Sequence, residues 1–158
     1  MKSKSRESCS TAEIAQIARD YFSEKLQFAT DFLLGARYYA GLQKYKMASF
    51  HLHQAAENYL RTIPLVYILY GYKDHALEIL MDRCKTHTLQ LVSVFPRNTE
   101  EERRLFNLLQ DAYVQARYNK DFVVTKTDID ALIPRLELMR DITEKVCCDR
   151  IAYYERQS

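Results

Sequence analysis

The segment Ala48-Ser-Phe-His-Leu-His-Gln-Ala-Ala-Glu-Asn-Tyr-Leu60 predicts the fold of this chain more clearly than any other. Its apolar positions recur every three or four residues, so they share one face of an α-helix. That face continues past the segment and comprises Ala48, Leu52, Ala55, Tyr59, Ile63 and Val66. The polar side chains gather on the other side: Gln54, Glu57, Asn58 and Arg61. The pattern is typical of an amphipathic helix that buries one side in a helical core.

The rest of the chain favours further helices around this one. The 158 residues include only three glycines and three prolines, and segments with the alternation of a strand are nearly absent. The sequence predicts an all-α fold, a single up-and-down bundle of four to five helices. We assign residues 1–9 to a disordered N-terminal tail and residues 10–158 to the bundle.

Capping residues and prolines predict where the helices begin and where they bend. Helix starts are expected at Ser10, after Asp74, at Thr99, and at Thr125 or Thr127. The second helix is predicted over about residues 44–70. Because proline lacks a backbone N–H, one proline in this helix and one in the last predict a bend or a break. These prolines are Pro64 and Pro134, and Gly35 and Gly41 mark the predicted end of the first helix.

Composition limits the classes of function. The net charge of +2 with 28% charged residues describes a mixed surface, without the basic footprint of a nucleic-acid-binding protein. No apolar run approaches the length of a membrane span, and we see no secretion signal. Four cysteines without CxxC spacing favour a reducing cytosol: Cys9, Cys84, Cys147 and Cys148. No P-loop, GxGxxG or GxSxG motif occurs, nor the Gly-Ser with paired aspartates of a nucleotidyltransferase.

Three separated segments carry a family resemblance. The first is the helix at 48–60, the second is Val94-Phe-Pro-Arg-Asn-Thr-Glu-Glu-Glu-Arg-Arg-Leu-Phe106, and the third is Asp111-Ala-Tyr-Val-Gln-Ala-Arg-Tyr-Asn-Lys-Asp-Phe122. Together they resemble HEPN domains, in particular those associated with small bacterial nucleotidyltransferases. The resemblance covers roughly residues 45–150. An H-x-L element of the family has two candidates here, His75 and His87, and the sequence leaves both open.

The resemblance implies a function and a site. It implies a cytoplasmic bacterial protein that forms a homodimer, binds a nucleotide and/or a nucleotidyltransferase partner, and takes part in a toxin–antitoxin-like two-component system. The resemblance also implies that a phosphate binds to the guanidinium of Arg117, because the paired N–H donors of a guanidinium match the oxygens of that anion. The full set of expected binding residues is Arg117, Tyr118, Asn119, Lys120, Gln54 and Glu57. A basic helix end that only stabilises its own dipole is the alternative interpretation of Arg117.

The ribonuclease motif of the family is missing. HEPN ribonucleases carry an arginine followed four to six residues later by histidine, and no histidine occurs after His87. We therefore assign no catalytic residue; enzyme activity is undecided but disfavoured, and RNA is not an expected partner. Two alternatives stay open: a toxin-like RNase in which Lys120 or Asp121 replaces the base, and a purely structural helical adaptor with a tyrosine-rich face. The pairs His53/Glu57 and Cys84/His87 offer too few ligands for a metal, so no metal or cofactor beyond a bound nucleotide is predicted.

Overall fold

Five helices make up the protein in a computed structural model that describes residues 10–157. No strand occurs in that range, so the predicted all-α bundle is confirmed. The predicted tail at 1–9 lies outside the described residues. The helices are α1 (Thr11–Gly41), α2 (Tyr45–Ile68), α3 (Leu77–Lys85), α4 (Glu100–Tyr118) and α5 (Lys126–Arg156).

Three of the helices begin at the predicted caps. The side-chain hydroxyls of Ser10, Thr99 and Thr125 each accept a hydrogen bond from the backbone N–H three residues later, at 3.1–3.2 Å. Thr99 and Thr125 belong to complete capping boxes, in which the third helical residue bonds back to the cap. The alternative cap at Thr127 is wrong, because Thr127 already lies within α5.

One glycine has a different role from the predicted one. Gly41 ends α1 as expected, but Gly35 lies inside the helix and not at its exit. A Cβ atom at Gly35 would stand 2.7 Å from Cδ2 of His51 on α2. Gly35 therefore permits the close approach of α1 to α2, which a larger residue would prevent.

The two internal prolines do not divide their helices. Pro64 lies within α2 and Pro134 within α5, and both helices continue across them. A helix tolerates proline where neighbouring elements hold the chain in place, although one backbone hydrogen bond is lost. α2 ends at Ile68, and its C-cap residue Leu69 has a φ of 54°, in the left-handed region.

α2 is the central helix and contacts each of the other four. The prediction that the polar side chains of α2 face outward is wrong for part of the helix, because Glu57 and Asn58 are only 2% and 3% exposed. Helices around α2 leave little of it to solvent, so its polar groups must find partners inside. The Asn58 amide donates to the carbonyl oxygen of Gln54 at 2.8 Å, and the Thr62 hydroxyl donates to that of Asn58 at 2.7 Å.

The cysteines of the described range are free thiols. Cys84 and Cys147 are buried and Cys148 is exposed. Burial raises the pKa of the Cys84 thiol to about 12. A thiol that stays protonated is a poor nucleophile, so Cys84 acts as a small apolar core residue.

None of the five helices described here combines the length and the apolar character that a bilayer crossing needs.

Candidate functional site

The ring of Tyr113 on α4 is the centre of a cluster of charged and aromatic side chains. The imidazole of His75, from the loop between α2 and α3, stacks on this ring with 4.4 Å between centroids and 13° between planes. The His53 ring of α2 lies 5.2 Å away, and Cζ of Arg117 lies 4.5 Å from the Tyr113 centroid. We call this group the Tyr113 cluster: His53, Glu57, Arg61, His75, Tyr113 and Arg117.

Arg117 lies in the last turn of α4, and only one of its nitrogens donates a hydrogen bond within the described structure. Its Nε donates to the carbonyl oxygen of Tyr113 at 2.7 Å, which fixes the plane of the guanidinium. The rings of Phe50 and Tyr118 add cation–π contacts at 5.2 and 4.9 Å. Among residues 10–157, no carboxylate lies within 4 Å of Arg117, and neither Nη group has a hydrogen-bond partner. The exposed fork is therefore available to an oxyanion.

A buried carboxylate holds His75 in place. Oε1 of Glu57 lies 2.6 Å from Nδ1 of His75 and 3.4 Å from Nη2 of Arg61. Arg61 also donates to the carbonyl oxygen of Asp74 at 2.7 Å. Since a buried carboxylate without partners is costly, the contacts with these two side chains stabilise Glu57 in the interior. His75 itself is half exposed, and its Nε2 lies 3.4 Å from the Tyr113 hydroxyl.

His53 is fully buried beside these cations. Desolvation is the main reason that the pKa of His53 falls from 6.5 to about 4, and the charges of His75, Arg61 and Arg117 lower it further. Nε2 of His53 lies 3.1 Å from the backbone oxygen of His75, which can only accept, so Nε2 carries the proton. Nδ1 then accepts from the amide of Gln54 at 3.2 Å. Both nitrogens are thus engaged inside the protein.

The remaining predicted binding residues lie at the C-terminal end of α4. Tyr118 is 76% exposed. The Asn119 amide donates to Oε1 of Gln115 at 2.7 Å, so Asn119 caps its own helix end. Nζ of Lys46 donates to the carbonyl oxygens of Asn119 and Lys120 at 3.1 and 3.4 Å. Lys46 and Lys120 therefore bring two further positive charges to the end of α4 that bears Arg117.

Tertiary contacts connect residues that the sequence separated. Glu57 and Arg117 were both predicted site residues. Glu57 contacts His75, the His75 ring stacks on Tyr113, and Tyr113 in turn contacts Arg117. Arg61, Tyr113 and Lys46 were not among the predicted site residues. The spacing of Glu57 and Arg61 by four residues was the available signal, because it places both side chains on one side of the helix. His75 and Arg61, 14 positions apart, come within 3.5 Å between Nδ1 and Nη2.

The structure also separates the two candidate histidines. His75 belongs to the Tyr113 cluster, whereas the His87 ring stacks on Tyr67 near the end of α2, with centroids 5.1 Å apart. Within residues 10–157 no three side chains of His, Cys, Asp or Glu come together as metal ligands. An open cleft of about 890 Å³ adjoins the cluster at Asp74, and Tyr70, Tyr72 and Arg83 line it.

Comparison with models of known protein families identifies the family of this chain. The family model described as HEPN domain matches residues 22–146, which is most of the chain and includes the whole Tyr113 cluster. No curated protein matches the sequence. Five helices without a strand in the described range agree with the helical fold of that family. The chain therefore belongs to the HEPN domain family.

Proposed function

We propose that this HEPN domain protein binds the phosphate of a nucleotide through Arg117 and does so as a non-nucleolytic homodimer. The observation that carries the proposal is the unpaired guanidinium of Arg117, held flat by the Tyr113 carbonyl and by three aromatic rings. A guanidinium fixed in this way loses little conformational entropy when it binds a phosphate.

The surroundings of Arg117 suit an anion. Lys46 and Lys120 contribute positive charge at the same helix end. The carboxylate of Glu57 is buried and bonded to Arg61 and His75, so it does not compete with an anion for Arg117. The exposed ring of Tyr118 offers a face on which a base can stack. In this arrangement Gln54 positions His53 and Glu57 positions His75, and neither of the two touches the ligand.

The assembly is part of the same proposal. A homodimer is supported by the family and by large apolar side chains that α1 leaves exposed, among them Phe28, Leu34 and Tyr38. A small nucleotidyltransferase as protein partner, a cytoplasmic location and a toxin–antitoxin-like pathway rest on the resemblance of the three segments to nucleotidyltransferase-associated HEPN proteins.

The test is nucleotide binding by wild type and two variants. A thermal-shift panel of nucleoside tri- and diphosphates and cyclic dinucleotides, with and without magnesium, identifies the ligand class, and calorimetry then gives the affinity. Arg117→Ala should weaken binding at least tenfold, about 1.4 kcal/mol, without unfolding the bundle. Arg156→Ala removes an exposed arginine at the end of α5 and should bind as wild type does. Equal affinity of wild type and Arg117→Ala would remove Arg117 from the site.

A second candidate function, RNA cleavage with an atypical base, is favoured by the Glu57–His75 pair. A carboxylate bonded to Nδ1 fixes the orientation of the imidazole and directs Nε2 to other partners, which is the arrangement of many acid–base histidines. Nε2 of the half-exposed His75 lies 3.4 Å from the Tyr113 hydroxyl, and Arg117 contacts the same Tyr113 ring. His75 therefore replaces Lys120 and Asp121 as the candidate base.

Cleavage of labelled single-stranded RNA distinguishes the two functions. Activity that is lost in both His75→Ala and Arg117→Ala would establish the second candidate. The same low signal in wild type and both variants would eliminate it and leave nucleotide binding alone.

A further inference from the structure

A second arginine, distant from the Tyr113 cluster in sequence, lies in an aromatic cage on α5. Cζ of Arg150 lies 5.0, 4.7 and 4.8 Å from the ring centroids of Tyr67, Tyr153 and Tyr154. Tyr154 is fixed by hydrogen bonds from its hydroxyl to the backbone oxygens of Val66 and Tyr67 at 2.8 and 2.9 Å. Cation–π contacts of this kind use the charge of the guanidinium and do not engage its N–H groups in hydrogen bonds.

Those N–H groups have no partner within the part of the chain that the structure describes. Among residues 10–157, Arg150 forms neither a hydrogen bond nor an ion pair, and its Nε is buried without any acceptor. The adjacent Asp149 is engaged with Nζ of Lys145 at 2.7 Å. Most buried donors in folded proteins are satisfied, so an orphaned one marks a place where a partner is missing.

His87 shares this environment with Arg150. Its ring stacks on Tyr67 with 28° between planes, and Tyr67 is also one wall of the arginine cage. Burial, and after it the charge of Arg150, lowers the pKa of His87. An anion bound between the two would relieve the repulsion and let His87 take up a proton.

We infer that Arg150 and His87, carried on the ring of Tyr67, form a second oxyanion site that takes the phosphate group of a small molecule. Arg150 offers at least two N–H donors from one edge, and His87 supplies a third donor when protonated. A phosphate dianion matches both cations, whereas a single carboxylate would balance only one of them. The inference does not depend on nucleotide binding at Arg117, because the two sites share no side chain.

Nuclear magnetic resonance of the histidine ring protons tests the site, with inorganic phosphate as the probe at constant ionic strength. The expected result is a saturable shift of the His87 signals and an upward move of its pKa with phosphate, and a much weaker response to acetate. Arg150→Gln should weaken the phosphate response at least tenfold, whereas Arg156→Gln, on the same helix, and Arg117→Ala should leave it intact.

Two results would overturn the inference: a response of His87 that is linear and never saturates, or one that is equal in wild type and Arg150→Gln. An acetate response as strong as that of phosphate would equally refute the assigned ligand class. Should Arg150→Gln fail to fold, Arg150→Lys keeps the charge in the cage but lacks the planar fork. Phosphate affinity within twofold of wild type in Arg150→Lys would then refute the geometry.

Discussion

Replacing His53 by asparagine should flatten the pH dependence of the stability of this bundle. His53 is buried on α2, and its pKa falls from 6.5 to about 4 on folding. Between these two values the unfolded chain binds a proton that the folded protein excludes, so stability falls as pH is lowered through this window. Above pH 6.5 both states are neutral at this residue and the effect vanishes.

The two pKa values set the size of the effect. Relative to pH 7.5, the linkage relation gives a loss of about 1.4 kcal/mol at pH 5.5 and about 2.5 kcal/mol at pH 4.5. For a domain of this size, the larger figure corresponds to a decrease in Tm of roughly 5–10 °C. The comparison at pH 5.5 is the cleaner one, because most carboxylates are still ionised there.

Urea denaturation at pH 7.5, 5.5 and 4.5 measures the effect as the difference between wild type and His53→Asn. Asn58→Ala serves as the control, since it removes a buried polar group from the same helix without removing a titrating one. The control should be less stable at every pH and keep the wild-type pH dependence. If wild type and His53→Asn lose the same stability between pH 7.5 and 5.5, the argument that burial depresses this pKa is wrong.

Two further substitutions test the packing and the capping of the helices. Gly35→Ala should destabilise the protein, because the added Cβ would lie 2.7 Å from His51. In the His51→Ala background the same change should stabilise the protein by about 0.5–1 kcal/mol, because alanine has the higher helix propensity. A double-mutant cycle measured by thermal denaturation tests this, and an effect of the same sign in both backgrounds would contradict it. Asp128→Asn should cost about 1–2 kcal/mol, because buried Asp128 accepts from Arg104 at 2.7 Å and caps α5. The exposed Asp130→Asn should cost less than about 0.5 kcal/mol in the same chemical denaturation, and equal losses would refute a special role for Asp128.

The helices could be predicted from the sequence because their signals are local. A cap such as Thr99 bonds to a backbone N–H only three residues away, so neighbouring residues suffice to place a helix start. The apolar stripe of α2 was equally local, and its members are buried as predicted. A break at a proline depends on whether packing can hold the helix across the lost hydrogen bond, and at Pro64 the helix continues. The predicted break is therefore absent, and the alternative, a bend, stays a prediction.

The candidate site could be predicted only in part. Arg117 was predicted because the resemblance covers α4, and its exposure at a helix end followed from its position. The role of Glu57 was not predicted, because α2 is surrounded on all sides and turns a supposed surface carboxylate into a buried one. The number of neighbours around a helix is a tertiary property that a hydrophobic pattern does not encode.

The sequence by itself determined the fold class, most helix boundaries, the family and the arginine that bears the proposed phosphate. Tertiary structure alone decided which side chains surround that arginine, because Glu57 reaches His75 across 18 positions and His75 reaches Tyr113 across 38. A motif search that expects histidine within six residues of arginine cannot find such a pair. Motif spacing reports contacts within one helix, whereas the chemistry of this site depends on three segments that meet only when the bundle closes.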